Sequence, residues 1–319
     1  MPHKYNATRR DRFPKAKYRV TNWSEYNEAL RCRGDVTIWF EEGAAEKWRA
    51  PKRKARGGQA RYSDFAIEVC LTLGLIFHQP LRQTQGFARS LLKLMDLDLP
   101  VPDFSTLSRR GTGISVEDTR QQSNGPLTLI VDSTGLKIHR GSGWQEAKHG
   151  AGKTRKSWRK LHVGFDPDSG EIVASTLTTE HVGDETALPD LINGIETPVA
   201  RFLADGAYDG VGVSECLAKS FGLDVEIIIP PPTNAVPGLS DQRDAHIEHI
   251  ATHGRMAWQS QSGYNVRALI EAQIGRYKTV IGPGLKSREL NRQITEVKIA
   301  TKSLNRMTNL GRAIFQHVS

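Results

Sequence analysis

Two stretches of sequence decide the fold: Leu129-Ile130-Val131-Asp132 and Arg201-Phe202-Leu203-Ala204-Asp205. Each is an apolar, strand-like run that ends in an aspartate. A charge is uncommon at the end of a buried strand, because it then lies close to low-dielectric surroundings. Open α/β sheets bind their ligands at the carboxyl ends of the strands, so the two aspartates predict a site there. For either aspartate alone, a turn that begins Asp-Ser-Thr-Gly or Asp-Gly is an equally good explanation.

The sequence around these stretches alternates between strand-like and helix-like segments from about residue 126 onward. The pattern predicts strands over 127–139, 161–165, 171–178, 200–204 and 225–229, and helices over 185–195 and 211–221. The first strand contains a kink at Gly135, and the turn 166–170 joins the next two strands into a hairpin. Three antiparallel strands followed by β-α-β predict an α/β fold with a mixed sheet flanked by helices.

Residues 1–125 have a mostly helical pattern, and we therefore expect an all-α N-terminal region. Apolar runs predict helices over 64–77 and 81–95, and Asp103 is a candidate N-cap for a short helix that ends in Arg109 and Arg110. These helices are compatible with a helix-turn-helix DNA reader, and equally with a bundle that braces the following domain. The expected parts are a basic arm and linker with a helical segment at 1–62, a helix-turn-helix-like DNA-binding region at 63–125, and a catalytic domain at 126–319.

A polar, proline-containing interval at about 230–257 separates the predicted sheet from the last part of the chain, which we expect to include a C-terminal helix. This composition predicts an insertion or a long loop. The interval contains His246 and His249, which suggest a metal site, but no cysteine supports them. We therefore expect both histidines to be polar residues on the surface rather than metal ligands.

Positive charge is concentrated in three parts of the chain. The 319 residues include 44 Lys+Arg against 35 Asp+Glu, a formal charge of +9, which favours a polyanionic partner. One basic cluster occupies 4–19, and solvated linkers are the alternative explanation for any one such run. The candidate phosphate contacts in and near the other two clusters are Lys52, Arg53, Lys54, Lys137, Lys153, Arg155, Lys156, Arg159 and Lys160.

The cysteines and the apolar runs exclude two classes of protein. Cys32, Cys70 and Cys216 are odd in number and have no CxxC spacing, so neither a disulfide framework nor a zinc site is indicated. They are expected to pack as thiols in a reducing cytosol. The longest apolar stretch, 67–77, is too short to cross a bilayer, and we expect no membrane association.

A third acidic residue lies on a predicted helix over 264–278. At about 100° per residue, Tyr264, Arg267, Glu271 and Lys278 fall within about 60° of one another. The apolar residues Val266, Leu269, Ile270, Ile274 and Tyr277 fall on another face. An i,i+4 ion pair between Arg267 and Glu271 is the simple explanation, but it leaves Tyr264 and Lys278 unexplained.

This spacing, Tyr-(2)-Arg-(3)-Glu-(6)-Lys, together with Asp132-Ser-Thr-Gly-Leu-Lys137 and Ala204-Asp205-Gly-Ala-Tyr-Asp209-Gly, resembles the DDE transposases of the bacterial insertion-sequence-five group. Further similar segments begin at Val20, Arg33, Trp158 and His253, so the resemblance spans nearly the whole chain. It implies an RNase H-like catalytic core in which Asp132, Asp205 and Glu271 are the catalytic residues and metal ligands. It also implies that Tyr264, Arg267 and Lys278 lie near the DNA at the end of the element.

The implied chemistry is phosphoryl transfer with two Mg²⁺ or Mn²⁺ ions per active site. Such an enzyme binds the terminal inverted repeats of the element, hydrolyses the phosphodiester at each end and joins the freed 3′-hydroxyl to double-stranded target DNA. Because two ends must be joined together, we expect a homodimer on paired ends, acting in the bacterial cytoplasm at the nucleoid. Arg267 and Lys278 would neutralise phosphate charge.

Three alternatives remain open from the sequence. A transposase-derived regulator would keep the DNA-binding helices and lack catalysis. An RNase H-like nuclease would share the acidic triad but would not transfer strands. Within the site, Asp209 competes with Asp205 for the second acidic position.

Overall fold

The computed structural model of the protein describes residues 17–40, 43–52, 54, 57–116, 125–138 and 158–318. The strands are β1 Lys17–Val20, β2 Leu127–Ile138, β3 Trp158–Asp166, β4 Glu171–Thr179, β5 Val199–Leu203, β6 Glu226–Ile228, β7 Gly284–Leu285 and β8 Phe315–Val318. The helices are α1 Trp23–Cys32, α2 Ala44–Trp48, α3 Asp64–Ile76, α4 Leu81–Leu94, α5 Phe104–Arg110, α6 Asp184–Ile192, α7 Val211–Phe221, α8 Asp241–His253, α9 Arg255–Gln261, α10 Ala268–Val280 and α11 Leu290–Asn309.

The chain forms two compact units, of which the smaller joins the N-terminal part to the C-terminus. It comprises residues up to Ile38 and from Arg306 onward, and the larger comprises Trp39–Asn305. In the smaller unit β1 pairs antiparallel with β8. The expectation of an all-α N-terminal region is therefore wrong at β1. The partner strand lies at the other end of the chain, and no local pattern reveals such a pairing.

The larger unit is built on a six-stranded mixed sheet. Its strand order is β4-β3-β2-β5-β6, with β7 pairing further along β2. β2, β3 and β4 are antiparallel neighbours, whereas β5 and β7 run parallel to β2, and β6 runs parallel to β5. The predicted α/β fold with a mixed sheet flanked by helices is confirmed.

Both faces of β2 are buried in its first half. Leu127, Leu129 and Val131 point into one core, where they pack with residues of α6 and α7. Ile130 is also fully buried, on the opposite face. Burial on both faces explains why the strand has a continuous apolar run rather than strict alternation. The same run carries the backbone to Asp132 without a break, since β2 continues through Gly135 to Ile138.

Three predicted helices appear in the first part of the larger unit. Ser63 caps α3 by accepting a hydrogen bond from the Ala66 backbone N–H, and Asp103 caps α5 by accepting from Ser105 and Thr106. α3 contacts both α4 and α5. Among the described residues no single helix is long and apolar enough to cross a membrane.

The interval expected to be an insertion or long loop contains two helices, α8 and α9. No residue of α8 is fully buried. A helix with no buried face needs no periodic apolar residues, and for this reason the sequence pattern did not predict it. Ser240 caps it through a hydrogen bond from the Arg243 N–H. The expectation that His246 is a solvated surface residue is wrong: its Nδ1 accepts a hydrogen bond from Trp258 Nε1 at 3.0 Å, and its Nε2 lies 3.0 Å from the Ile227 carbonyl oxygen.

Candidate active site

The sheet opens beside β2 at the level of Asp132. β5 pairs with β2 only as far as Ile130, which lies opposite Leu203, and β7 pairs with it from Lys137 onward. Asp132 and Asp205 each lie two residues beyond the last β2–β5 pair, so parallel register brings them to the same level. Asp132, inside β2, and Asp205, just beyond the end of β5, therefore lie side by side where the sheet opens between β5 and β7.

One guanidinium group lies between three carboxylates. Arg267 Nη1 donates a hydrogen bond to Glu271 Oε1 at 2.8 Å, and Arg267 Nη2 lies 3.4 Å from Asp132 Oδ2 and 3.9 Å from Asp205 Oδ2. The Arg267 side chain is only 14% exposed, whereas that of Glu271 is 52% exposed. The structure thus brings Asp132, Asp205 and Glu271 together, from three distant parts of the sequence, around a single cation.

Tyr264 and Arg267 precede the helix that carries Glu271. They belong to a 3-10 turn, Tyr264–Arg267, and α10 begins only at Ala268. The predicted continuous α-helix from 264 is therefore wrong in its first turn. Residues i and i+3 are eclipsed in a 3-10 turn, so Tyr264 and Arg267 still share one side. Leu269, expected on the apolar face, is 48% exposed, and Ile270, Gln273 and Tyr277 are the buried residues of α10.

Burial and like charge both act on Asp132. Desolvation raises the pKa of its carboxyl group, the nearby Asp205 and Glu271 raise it further, and Arg267 opposes the shift. Burial alone would lower the pKa of Arg267, but the net direction is upward because Tyr264, Glu271 and the two aspartates favour the charged form. The site therefore holds an excess of negative charge that one arginine balances only in part.

Asp205 and Asp209, the two competing aspartates, have different surroundings. Asp209 accepts two hydrogen bonds from Arg243, both at 2.8 Å, and its side chain is 5% exposed. Asp205 accepts from the Ala207 N–H through Oδ1, and its Oδ2 faces Arg267. Asp209 is thus held in an ion pair with Arg243 of α8, and Asp205 is the aspartate that faces Asp132.

A cluster of three rings packs against the 3-10 turn. The Trp258 ring lies 5.2 Å from that of Tyr264 and 5.5 Å from that of His246, measured between centroids. Burial raises the pKa of Tyr264. Through His246 and its contact with the Ile227 carbonyl oxygen, this ring cluster links the turn to β6 of the sheet. The sequence shows the individual aromatic residues, but only the fold places them in contact.

The basic residues near β2 and β3 are mostly committed to contacts within the protein. Lys137 is exposed, and its Nζ lies 5.7 Å from the centroid of the Trp158 ring. Arg159 Nε donates to Gln293 Oε1 at 2.9 Å, and Lys160 Nζ lies 3.1 Å from Asp184 Oδ1. In the described part of the chain Lys278 has no carboxylate partner. Lys137 and Lys278 are therefore the better placed of the four for a phosphate.

The other predicted DNA contacts lie in the first part of the larger unit or outside the described residues. Lys52, Lys54 and Arg109 are exposed. Arg110 donates to the Asp64 carboxylate and to the Tyr62 carbonyl, so it links α5 to the start of α3. The predicted contacts that fall outside the described residues are Arg53, Lys153, Arg155 and Lys156.

Two buried polar side chains next to the site, His162 and Tyr208, have no role predicted from the sequence. His162, on β3, is 1% exposed, with Nε2 at 2.9 Å from Thr178 Oγ1 and Nδ1 at 3.3 Å from Asp184 Oδ1. The Tyr208 hydroxyl is buried and has no hydrogen-bond partner among the described residues. Burial raises the pKa of Tyr208, as do Asp184, Asp205 and Asp132. The available signal was the position of Tyr208, three residues after Asp205.

The chemistry of the three carboxylates fits a divalent cation, because Mg²⁺ and Mn²⁺ prefer hard oxygen ligands. As they stand, however, no three acidic, histidine or cysteine side chains of the described residues are close enough to share an ion. The Arg267 guanidinium lies between the carboxylates instead. The three carboxylates thus have suitable oxygen ligands for a divalent cation, but the position between them holds the positive charge of Arg267.

The fold and the site define an α/β protein with three carboxylates gathered beside the gap between β5 and β7 of a mixed sheet. The family described as "Transposase DDE domain" matches residues 123–306, and a second family of the same description matches residues 31–141. The chain therefore belongs to the DDE transposase family. Among solved structures it is similar to a piggyBac transposase synaptic complex with hairpin DNA, at 12% sequence identity and a TM-score of 0.42, over 92% of this chain and 78% of that one.

Proposed function

We propose that this protein is the transposase of a bacterial insertion sequence, with Asp132, Asp205 and Glu271 as its catalytic residues and metal ligands. It would bind the terminal inverted repeats, hydrolyse the phosphodiester at each element end and join the 3′-hydroxyls to target DNA. The observation that carries the proposal is the meeting of these three carboxylates at one guanidinium. The order β4-β3-β2-β5-β6, with three antiparallel strands followed by two parallel ones, supports an RNase H-like core.

Each carboxylate is presented by a different kind of element. Asp132 projects from a long buried strand, Asp205 from the end of the neighbouring strand, and Glu271 from the first turn of α10. The proposed cofactor, two Mg²⁺ or Mn²⁺ ions bound by these residues, would supply activation of the attacking oxygen and stabilisation of the leaving oxygen. Asp132 and Asp205 sit on the rigid sheet, and Glu271 is the most exposed of the three. The exposed side is therefore where DNA would approach.

The basic residues would hold the DNA. Arg267 and Lys278 would neutralise a DNA phosphate next to the carboxylates, and Tyr264 would lie beside the same DNA strand. Lys52, Lys54, Lys137 and Arg109 would contact phosphates further away. We also propose that residues 63–125 read the element ends, that residues 126–319 form the catalytic domain, and that a homodimer binds the paired ends in the cytoplasm at the nucleoid.

Strand cleavage and strand transfer test the proposed function directly. The purified full chain is incubated with Mg²⁺ or Mn²⁺ and a duplex bearing the sequence that flanks its reading frame, or with a pre-cut end and a target plasmid. D132N, D205N and E271Q should each abolish cleavage and joining. E289Q is the matched control, because Glu289 is an exposed carboxylate paired with Arg292, and it should retain both.

The outcomes distinguish the rival functions. Cleavage without joining of pre-cut ends would indicate a nuclease. DNA binding with no metal-dependent cleavage by the wild-type chain would indicate a regulator. Cleavage by D132N at the wild-type rate would contradict the assignment of the triad. Affinity for DNA should fall steeply with salt if the basic residues contact phosphates, because binding then releases counterions.

A further inference from the structure

We propose that Arg267 is a built-in competitor of the metal ions, because its guanidinium occupies the position between the carboxylates that the cations need. This inference rests on the proposed function of the site. It adds that the metal site becomes available when the guanidinium leaves, and that a DNA phosphate is the ligand that draws it away. DNA binding would therefore promote metal binding.

The contacts of Arg267 carry the first step. Its two terminal nitrogens reach all three carboxylates, at 2.8, 3.4 and 3.9 Å, so a cation that bound Asp132 and Asp205 together would meet the guanidinium. With the arginine there, the described residues contain no group of three ligands close enough to hold an ion. The same carboxylates thus serve either the arginine or the metal.

The hydrogen bonds of Arg267 to the carboxylates are incomplete. Only the bond to Glu271 is short, whereas the distance to Asp205 is at the limit of an ion pair. The Nε–H of Arg267 is buried and has no hydrogen-bond partner in the described part of the chain. Asp209–Arg243, in the same unit, shows the contrast, because there Nε and Nη2 both donate at 2.8 Å. A phosphate can accept from Nε and Nη2 together, so it offers the bidentate contact that Arg267 lacks.

The position of Arg267 carries the third step. It lies at the end of the 3-10 turn, directly before α10, and the next residues in that helix, Ala268 and Leu269, are exposed. Its partner Glu271 is half exposed. A phosphate that arrives beside Glu271 would therefore draw the guanidinium outward, and Nε would become available to it as the side chain turns toward solvent.

The test measures Mn²⁺ affinity of the full chain without DNA, by isothermal titration calorimetry and by the loss of the free Mn²⁺ electron paramagnetic resonance signal. R267Q should bind Mn²⁺ about tenfold more tightly than the wild type, since it removes charge-assisted contacts that the metal must otherwise break. R31Q removes the same charge from an exposed i,i+3 pair with Glu28 and should leave the affinity unchanged. Affinity in R267Q that equals or falls below that of the wild type would overturn the inference.

Two further variants keep the test decisive. R267K retains the charge as a single point that cannot span three carboxylates, and it should also bind Mn²⁺ more tightly than the wild type, by a smaller factor. It replaces R267Q if that variant does not fold. D132N should lose Mn²⁺ binding in both the wild-type and the R267Q background.

The D132N result separates the two proposals. If D132N binds Mn²⁺ as well as the wild type does, the proposed metal site itself is wrong. If D132N loses binding while neither Arg267 variant gains it, the metal site stands and only the competition is refuted. Adding a duplex that carries the flanking end sequence should raise Mn²⁺ affinity in the wild type and have little effect in R267Q. A gain in R267Q equal to that in the wild type would overturn the proposed coupling.

Discussion

Replacing Asp209 and Asp205 in turn should separate stability from metal binding. Asp209 and Arg243 form a bidentate pair with two 2.8 Å bonds, and their side chains are 5% and 13% exposed. Asp205 is 42% exposed and caps a short 3-10 turn through one hydrogen bond from the Ala207 N–H. The two aspartates are four residues apart, so the comparison is closely matched.

The magnitudes follow from these contacts. Removing one partner of a buried pair costs about 3 kcal/mol at the lower end of the usual range, and we expect that loss for D209A. D209N keeps one acceptor oxygen and should cost about 1–2 kcal/mol, because the charge-assisted bonds become neutral ones. D205N should change the free energy of unfolding by no more than about 0.5 kcal/mol, since asparagine caps a helical turn about as well as aspartate.

Urea unfolding followed by tryptophan fluorescence gives the stabilities, and calorimetric Mn²⁺ titration gives the binding. We expect D209N to be less stable and to bind Mn²⁺ like the wild type, and D205N to be as stable as the wild type and to lose binding. The cycle of D209A, R243A and the double variant should show a coupling of about 1–3 kcal/mol. The reasoning is refuted if D209N abolishes Mn²⁺ binding at unchanged stability, because Asp209 would then be the ligand.

Two more predictions concern stability. Burial lowers the pKa of His162, so just below about pH 6.5 this imidazole is protonated in the unfolded chain but remains neutral in the folded protein. The stability that depends on neutral His162 is therefore complete above that pH and is lost as the pH falls toward the lowered pKa. When the free energy of unfolding is measured from pH 5 to 8, H162Q should lose less stability at acid pH than the wild type does. The exposed control H181Q should behave like the wild type. G74A should cost about 1–3 kcal/mol, because its Cβ would lie 2.5 Å from Thr84 Oγ1. G86A, in open space on the exposed side of α4, should gain up to about 1 kcal/mol; equal effects of the two glycine substitutions would contradict the packing argument.

Local pattern was enough to predict most of the sheet and the positions of two of the proposed ligands. Runs of apolar residues that end in Asp132 and Asp205 predict buried strands with charged ends, and the hairpin turn between β3 and β4 has its own sequence signature. The caps at Ser63 and Asp103 mark helix starts for the same reason, because a side-chain oxygen satisfies free backbone N–H groups. These features depend only on neighbours in the chain.

Contacts between distant residues could not be predicted in this way. The sequence favours Asp205 over Asp209 because Asp205 follows an apolar strand segment, but it does not reveal that Arg243 pairs with Asp209, since Arg243 lies on a helix with no apolar period. The same is true of His246, whose partners are the Ile227 carbonyl and Trp258. The hydrogen-bond partners of such a polar residue come from distant parts of the chain. The residues next to it in the sequence therefore do not predict its contacts.

Pattern along the chain predicts that apolar strand segments run into Asp132 and Asp205, and that Arg267 and Glu271 lie about one helical turn apart. It also predicts the family, which the match over residues 123–306 confirms. Only the tertiary structure decided that Arg267 reaches Asp132 and Asp205 as well as Glu271. The physical reason is that spacing along the chain sets contacts within one element, whereas the sheet register and the position of α10 against β2 set the distances between elements.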